Sequence, residues 1–85
     1  MASKVSYKAS AEADLRRLDK PLARRILGKL ETSLSLNPDL GVPLAGDYLG
    51  LFKFRIGDYR VIYAKIHDGI LVLRVGHRKD IYRRR

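Results

Sequence analysis

The 85-residue sequence lacks cysteine and tryptophan, and it has no apolar stretch as long as a membrane span. Without cysteine, disulfides and cysteine-ligated zinc sites are excluded. A spanning helix needs about 20 apolar residues, and a secretory signal needs an apolar run near its start; the sequence has neither. We therefore predict one domain over residues 1–85, located in the cytoplasm and without membrane contact.

Carboxylates are scarce in the second half of the chain, and phosphate-binding motifs are missing. After residue 47 the acidic residues are Asp58, Asp68 and Asp80. A two-metal nuclease needs clustered carboxylates, and no Gly-rich phosphate loop or Ser-His-Asp arrangement is visible. His67 and His77 flank a predicted hairpin without a second ligand motif. The sequence therefore predicts no metal and no cofactor.

Positive charge, by contrast, is abundant and unevenly distributed. The chain has 18 Lys and Arg against 9 Asp and Glu, which gives a net charge of +9. Residues 48–85 carry ten basic and three acidic side chains, so +7 of the net charge lies there. Such a field attracts polyanions and speeds their encounter. We predict nucleic acid or the ribosome as a partner; the alternative is a soluble domain with a basic surface.

The first half of the chain has mostly helical periodicity. Residues 4–8 alternate and predict a short strand, with helices following at about 11–18 and 22–36. Ser10 is the predicted N-cap of the first helix, and Asp14 is assigned to its first turn, where the helix dipole favours anions. Pro21 suits a first helical turn, and the apolar positions of the second helix are spaced by four.

Strand periodicity begins near residue 40, after a loop predicted over residues 39–47. Gly57-Asp58 and Asp68-Gly69 are turn signals that separate three strands. The sequence thus predicts an α+β fold of order β-α-α-β-β-β. An N-terminal strand and a helical hairpin pack on a twisted, mostly antiparallel four-stranded sheet. The three later strands are expected at about 48–56, 59–66 and 70–77.

Basic side chains occupy one face of the first long strand. Phe52 and Phe54 alternate with Lys53 and Arg55, so the two cations project together from the face opposite the aromatic rings. Their spacing of roughly 6–7 Å suits neighbouring phosphate oxygens, although solvated strand residues would show the same pattern. Arg60, on the next strand, has apolar neighbours on both faces. Parity alone leaves open whether Arg60 shares a pocket with Lys53 and Arg55.

The end of the chain combines a glycine, an arginine and an aromatic residue in a basic segment. Gly76 allows close approach of backbone or ligand, and Arg78 follows where strand becomes tail. Tyr82 has two interpretations of about equal weight. It stacks on a nucleobase, as aromatic side chains in basic surfaces do, or it anchors the tail on the sheet.

Two stretches resemble the motifs of a known family. The segment from Leu51 to Tyr63 resembles the central motif of RelE-type toxins, and the segment from Val75 to Tyr82 is similar to their C-terminal motif. The order of helical hairpin and three strands matches over nearly the whole chain. The resemblance implies a RelE/ParE superfamily toxin of the RelE-like branch, from a type II toxin–antitoxin system.

The resemblance also implies an activity and its residues. RelE-like toxins are metal-independent endoribonucleases (mRNA interferases) that cut messenger RNA in the A site of the 70S ribosome and block translation. They leave a 2′,3′-cyclic phosphate and a 5′-hydroxyl, and a RelB-like antitoxin inhibits them. The family's catalytic residues carry over to Lys53, Arg60, Arg78 and Tyr82, and RNA contacts to Arg55, Lys79 and Arg83.

Individual roles follow from side-chain chemistry. Arg60 stabilises charge on the phosphorane, and Arg78 holds the phosphate and assists the leaving oxygen. Lys53 is the preferred proton acceptor, with Tyr82 as the alternative. Some family members carry Lys at the position of Arg55, and arginine cannot act as a base. Two other functions stay open: a ParE-like inhibitor of DNA gyrase, and a non-catalytic module that binds RNA or the ribosome.

Overall fold

Alternating apolar and polar residues form one sheet in the computed structural model, which describes residues 3–81. From one edge to the other the strand order is β1-β5-β4-β3-β2. β1 is parallel to β5, and all other neighbours are antiparallel. The predicted α+β class and the mostly antiparallel sheet are confirmed. The strands are β1 (Lys4–Tyr7), β2 (Val42–Pro43), β3 (Leu51–Ile56), β4 (Tyr59–Ile66) and β5 (Gly69–His77).

The sequence predicts four strands, whereas the described part of the chain has five. The additional strand, β2, lies inside the predicted loop 39–47 and pairs antiparallel with Lys53 and Phe52 of β3. It has two residues and one of them is proline, so alternation gave no signal. Proline is tolerated there because β2 is the edge of the sheet, where no further strand needs its missing N–H.

Two helices cover one face of the sheet. They are α1 (Ala9–Arg16) and α2 (Lys20–Lys29), and α2 continues into a π-helical turn, Leu30–Leu34. Pro21 lies in the first turn of α2 as predicted. Ser35 N–H donates to Leu30 O (3.1 Å), which closes the wider turn. None of the helices within residues 3–81 is long and apolar enough to span a membrane.

Polar contacts with β5 determine where α1 begins, and they correct two predictions. Ser10 is not the N-cap; it lies inside the helix, and its Oγ donates to Leu73 O (2.7 Å). Asp14 lies beyond the first turn. Its buried carboxylate accepts bonds from Arg74 Nε (2.8 Å) and Nη2 (3.1 Å) and from Val75 N–H (2.8 Å). These bonds fix α1 on β5 beside a register shift between Ile62 and Tyr63.

The hydrophobic core lies between the helices and the sheet face that carries the aromatic residues. Ile26, Leu30 and Leu34 are fully buried, which confirms the stripe with four-residue spacing. Phe52 stacks on Tyr63 of β4 with ring centroids 5.5 Å apart. The predicted parity of β3 is therefore correct, and its cationic side chains lie on the opposite face. The sheet contributes Ile56, Val61, Tyr63, Ile70, Val72 and Val75 to this core.

Both predicted turns are present, but glycine is needed at Gly57 and at Gly69 for different reasons. Gly57 has φ +59°, which a two-residue turn requires and which glycine adopts without strain. Gly69 does not have a positive φ and is the first residue of β5. A Cβ there would collide with the carbonyl oxygen of Lys4 in the neighbouring parallel strand. Gly69 therefore permits β1 to pair with β5.

Candidate functional site

The register between β3 and β4 resolves the open question about Arg60. Arg55 lies directly opposite Arg60, and Lys53 lies opposite Ile62. Opposed residues of an antiparallel pair project from the same face, so all three basic side chains lie on the face away from the core. Like charges placed directly opposite destabilise a strand pair. The Arg55–Arg60 pair therefore favours binding of an anion.

The three cations line one cleft. Its volume is about 370 Å³, and it is lined by Leu40, Val42, Lys53, Phe54, Arg55 and Arg60. The set contains no carboxylate. Lys53 and Arg60 are half-buried and Arg55 is exposed. Within residues 3–81, the side chains of Lys53 and Arg55 form neither a hydrogen bond nor an ion pair. Their positive charge is therefore available to a ligand.

Arg60 is held at one end of the cleft by the β3–β4 turn. Its Nη1 donates to Gly57 O (3.3 Å) and Tyr59 O (3.2 Å). The guanidinium has five N–H donors, so these bonds orient it and leave donors for a ligand. Arg78 is tied to the same turn, because its N–H donates to Asp58 O (2.8 Å). The Gly57-Asp58 turn thus brings the Arg60 side chain and the Arg78 backbone to one end of the sheet.

The segment after β5 folds back over the cation face. Ile81 N–H donates to His77 O (3.0 Å), and the Ile81 side chain is buried. A Cβ on Gly76 would lie 3.1 Å from Ile81 Cδ1, and Gly76 is the partner of Arg60. The close approach predicted for Gly76 is therefore made by the chain's own tail. The buried Ile81 side chain thus covers part of the open face of the sheet.

The chain matches known toxins along almost its whole length. The family model described as the ParE toxin of type II toxin–antitoxin systems (parDE) matches residues 5–82. Toxin RelG of Mycobacterium tuberculosis is 35% identical over 83 residues, which cover 94% of this chain and 95% of RelG. Toxin RelE of the same organism is 39% identical over 83 residues, with 93% and 84% covered. The chain belongs to the RelE/ParE superfamily of toxins.

A solved structure extends the toxin resemblance to three dimensions. A chain in a crystal structure of a RelBE toxin–antitoxin complex from Mycobacterium tuberculosis superimposes with a TM-score of 0.86 at 30% identity. The match covers 94% of this toxin and 95% of that chain. The predicted family and fold are therefore confirmed together. The α1–β5 packing and the cleft described above belong to a RelE-like toxin fold.

The remaining predicted residues of the toxin lie on or beyond the C-terminal turn. Lys79 is exposed, and its N–H donates to His77 Nδ1 (3.2 Å). His77 lies edge-on against Tyr59, with ring centroids 5.4 Å apart. Within residues 3–81 no group of three or more His, Cys, Asp or Glu could hold a metal ion. Tyr82 and Arg83 lie outside the described residues.

The sequence did not reveal the apolar wall of the cleft. Leu40 and Val42 belong to a segment rich in Gly and Pro, which predicts a loop and gives no reason to place it against Lys53. The sequence feature that could have revealed this wall is Tyr63, because the hydroxyl of a buried tyrosine needs a hydrogen-bond partner. Tyr63 donates to Pro38 O (2.7 Å) and accepts from Gly41 N–H (3.0 Å). Burial raises the pKa of Tyr63, although the Gly41 bond partly offsets this effect.

Proposed function

We propose that this toxin is a ribosome-dependent endoribonuclease that cuts messenger RNA in the A site of the 70S ribosome. The observation that supports it is the cleft in which Lys53, Arg55 and Arg60 project together. Three cations without a carboxylate among them can hold one phosphodiester and stabilise extra negative charge on it. The toxin acts in the cytoplasm, where its substrate is translated.

The reaction is an internal transfer of the phosphoryl group. The ribose 2′-hydroxyl loses its proton and attacks the adjacent phosphorus, while the bond from phosphorus to the 5′-oxygen breaks. The leaving oxygen takes up a proton, so the products are a 2′,3′-cyclic phosphate and a 5′-hydroxyl. Arg60 stabilises the phosphorane, and Arg78 holds the phosphate and assists the leaving group. The neutral amine form of Lys53 accepts the proton, a role that guanidinium groups cannot take.

Mapping of RNA ends in growing bacteria tests this proposal. The toxin is induced, messenger RNA is extracted, and new 5′ ends are located by primer extension. We expect wild type to produce cuts within translated frames. Arg60→Leu should reduce the rate of this cleavage by about 100- to 1,000-fold. Lys29→Ala, a cation removed from the exposed face of α2, is the matched control and should cut normally. Equal cutting by wild type and Arg60→Leu would contradict the proposal.

A cognate RelB-like antitoxin is the second proposed partner. Its support is the similarity to a toxin chain from a RelBE toxin–antitoxin complex. An acidic, partly disordered chain suits a toxin with a net charge of +9, and its apolar residues can pack in a groove of the fold. Co-expression with a candidate RelB-like acidic protein tests the pairing. It should restore growth and co-purify with the toxin.

Inhibition of DNA gyrase is the alternative function, and a specific observation favours it. The matching family model is described as a ParE toxin, the branch to which gyrase inhibition belongs. Growth arrest with an SOS response, stalled replication and no new RNA ends would identify this branch. A supercoiling assay with purified toxin and gyrase gives the direct comparison. The endoribonuclease should leave supercoiling unchanged at equimolar toxin.

A further inference from the structure

The cleft has two walls of different chemistry. One carries the cations Lys53, Arg55 and Arg60, and the other is formed by Leu40 and Val42. These two apolar side chains are 48% and 58% exposed, so each has free surface to offer a ligand. A ligand that fits both walls has an anionic end and a flat apolar end. A nucleotide has this composition.

The spacing of the walls suits a single nucleotide. Val42 pairs with Lys53 across the β2–β3 ladder, so the apolar wall stands one strand away from the first cation. Neighbouring strands are about 4.8 Å apart. The volume of about 370 Å³ is near the lower end of small-ligand pockets, which span about 300–1,000 Å³. A cleft of this volume can accommodate one nucleotide.

The apolar wall is held rigidly by the toxin's own core. The hydroxyl of buried Tyr63 bonds both Pro38 O and Gly41 N–H, and it thereby clamps the two ends of the turn that carries Leu40. A Cβ on Gly41 would collide with the Tyr63 ring, so the loop lies tightly on that ring. On the outer side, Asp39 forms an ion pair with Lys65. A rigid wall loses little entropy when a ligand binds.

We infer that the loop of residues 38–42, clamped by Tyr63, is the base-reading wall of the toxin. This inference rests on the proposed function and deepens it. The phosphate at the cut lies on the cations, and the adjoining nucleobase packs against Leu40 and Val42. Tyr63 is a positioning residue, because it is buried in the core, binds the loop through its hydroxyl and does not line the cleft. The wall determines which bases are cut efficiently.

Sequencing of cut sites in cells tests the base contact. Wild type, Leu40→Ser, Val42→Thr and the control Leu49→Ser are induced, and the base composition at new 5′ ends is compared. Leu49 is 81% exposed and is not among the residues that line the cleft, so its variant should keep the wild-type preference. Leu40→Ser and Val42→Thr should change the preference at one fixed position beside the cut by roughly tenfold.

Tyr63→Phe tests the clamp separately from the wall. It keeps the ring that stacks on Phe52 and removes both hydrogen bonds to the loop. The base preference should change at the same position as in Leu40→Ser. A change in melting temperature alone, with an unchanged preference, would make Tyr63 merely structural. Because preference is a ratio between sites, it is independent of the amount of folded toxin.

The outcomes separate the inference from the proposed function. If wild type cuts RNA and both wall variants keep its base preference, the inference is wrong and the endoribonuclease stands. If the wall variants lose only antitoxin binding, Leu40 and Val42 form a peptide-docking surface, and the inference is again wrong. If wild type cuts no RNA, both the proposed function and the inference fail. A changed base preference that is limited to the wall and clamp variants supports the inference.

Discussion

At the residue scale, Lys53 differs from its two cationic neighbours in the cleft because its side chain is an amine, a class of group that serves as a general base. The guanidinium groups of Arg55 and Arg60 cannot take that role. Lys53→Ala should therefore slow cleavage by about 100- to 10,000-fold, the contribution of a positioned acid or base. Single-turnover cleavage on programmed ribosomes measures the effect. The side chain is half-buried on the face opposite the core, so the fold should survive.

The same variant has a clear contrary outcome. If cells expressing Lys53→Ala stop growing as quickly as those expressing wild type, Lys53 has no catalytic role. Proton transfer would then rest on Tyr82. Lys53→Arg keeps the charge but not the base, so it separates the two contributions. A slow arginine variant with normal ribosome binding would indicate proton transfer rather than phosphate binding.

Tyr7 gives a prediction about stability at alkaline pH. Burial and the neighbouring Glu31 raise the pKa of Tyr7 from 10.0 to about 12. The folded state thus holds the phenol proton more tightly than the unfolded state does. Its contribution is complete below pH 10 and is lost as pH rises through 12. Tyr7→Phe should therefore flatten the decline of unfolding free energy over this window.

Urea denaturation at several pH values measures the effect of Tyr7. The comparison with wild type cancels the titration of groups that both proteins share, including Tyr63. Tyr7 donates to Glu31 Oε2 (3.3 Å), so Glu31→Gln should show a smaller change of the same sign. Parallel pH profiles for wild type and Tyr7→Phe would show that this phenol does not contribute.

At the element scale, the connection between α1 and β5 depends on one buried carboxylate. Asp14 accepts three bonds, from two Arg74 nitrogens and Val75 N–H. Asp14→Asn places an amide nitrogen among donors and weakens this connection. Because the Arg74 side chain is 50% exposed, solvent reduces the loss, and we expect about 1–3 kcal/mol. Thermal unfolding should shift down by roughly 4–8 °C per kcal/mol.

A matched variant separates this connection from a general effect of charge. Asp19→Asn removes a carboxylate from the exposed residue before α2, which makes no side-chain capping bond. Its melting temperature should stay close to that of wild type. An equal loss in both variants would mean that net charge, rather than the α1–β5 bonds, determines stability.

The same elements explain how far the sequence could predict the fold. β4 lies where alternation and the two turn signals placed it, because both its ends are set by local turn chemistry. α1 begins two residues earlier than predicted, because Lys8 N–H bonds Val72 O (2.9 Å) and Ser10 bonds Leu73 O. Those partners are distant in sequence. Local capping rules cannot foresee an end that a neighbouring strand determines.

The candidate site has the same division between local and distant information. Parity placed Lys53 and Arg55 together, because their spacing lies within one strand. Arg60 joined them through the register that the Gly57-Asp58 turn imposes, which parity alone cannot provide. Leu40 and Val42 lie at the cleft because the Tyr63 hydroxyl binds their loop. Tyr63 is more than twenty residues away from that loop in the sequence. The motif resemblance identified the family without revealing this wall.

At the scale of the whole molecule, the net charge of +9 predicts strong salt dependence of ribosome and RNA binding. Each phosphate contact releases counterions, and for single strands log K falls with log salt by about 0.7 per contact. Arg55 is an exposed residue of the cleft, and its side chain forms no hydrogen bond or ion pair within residues 3–81. Arg55→Ala should therefore reduce the slope by about 0.7. Titration of labelled single-stranded RNA over a KCl series measures it.

The variant Arg24→Ala distinguishes a direct phosphate contact from the diffuse electrostatic field of the toxin. Arg24 is exposed on α2, and the helices cover the sheet face opposite the cations, so its loss changes the net charge equally without touching the cleft. Its affinity should fall slightly at low salt while its slope stays that of wild type, because no counterion is released at that position. Equal slopes for Arg55→Ala and Arg24→Ala would mean that the toxin attracts RNA through diffuse charge. The cleft would then position its substrate only after another surface has bound it.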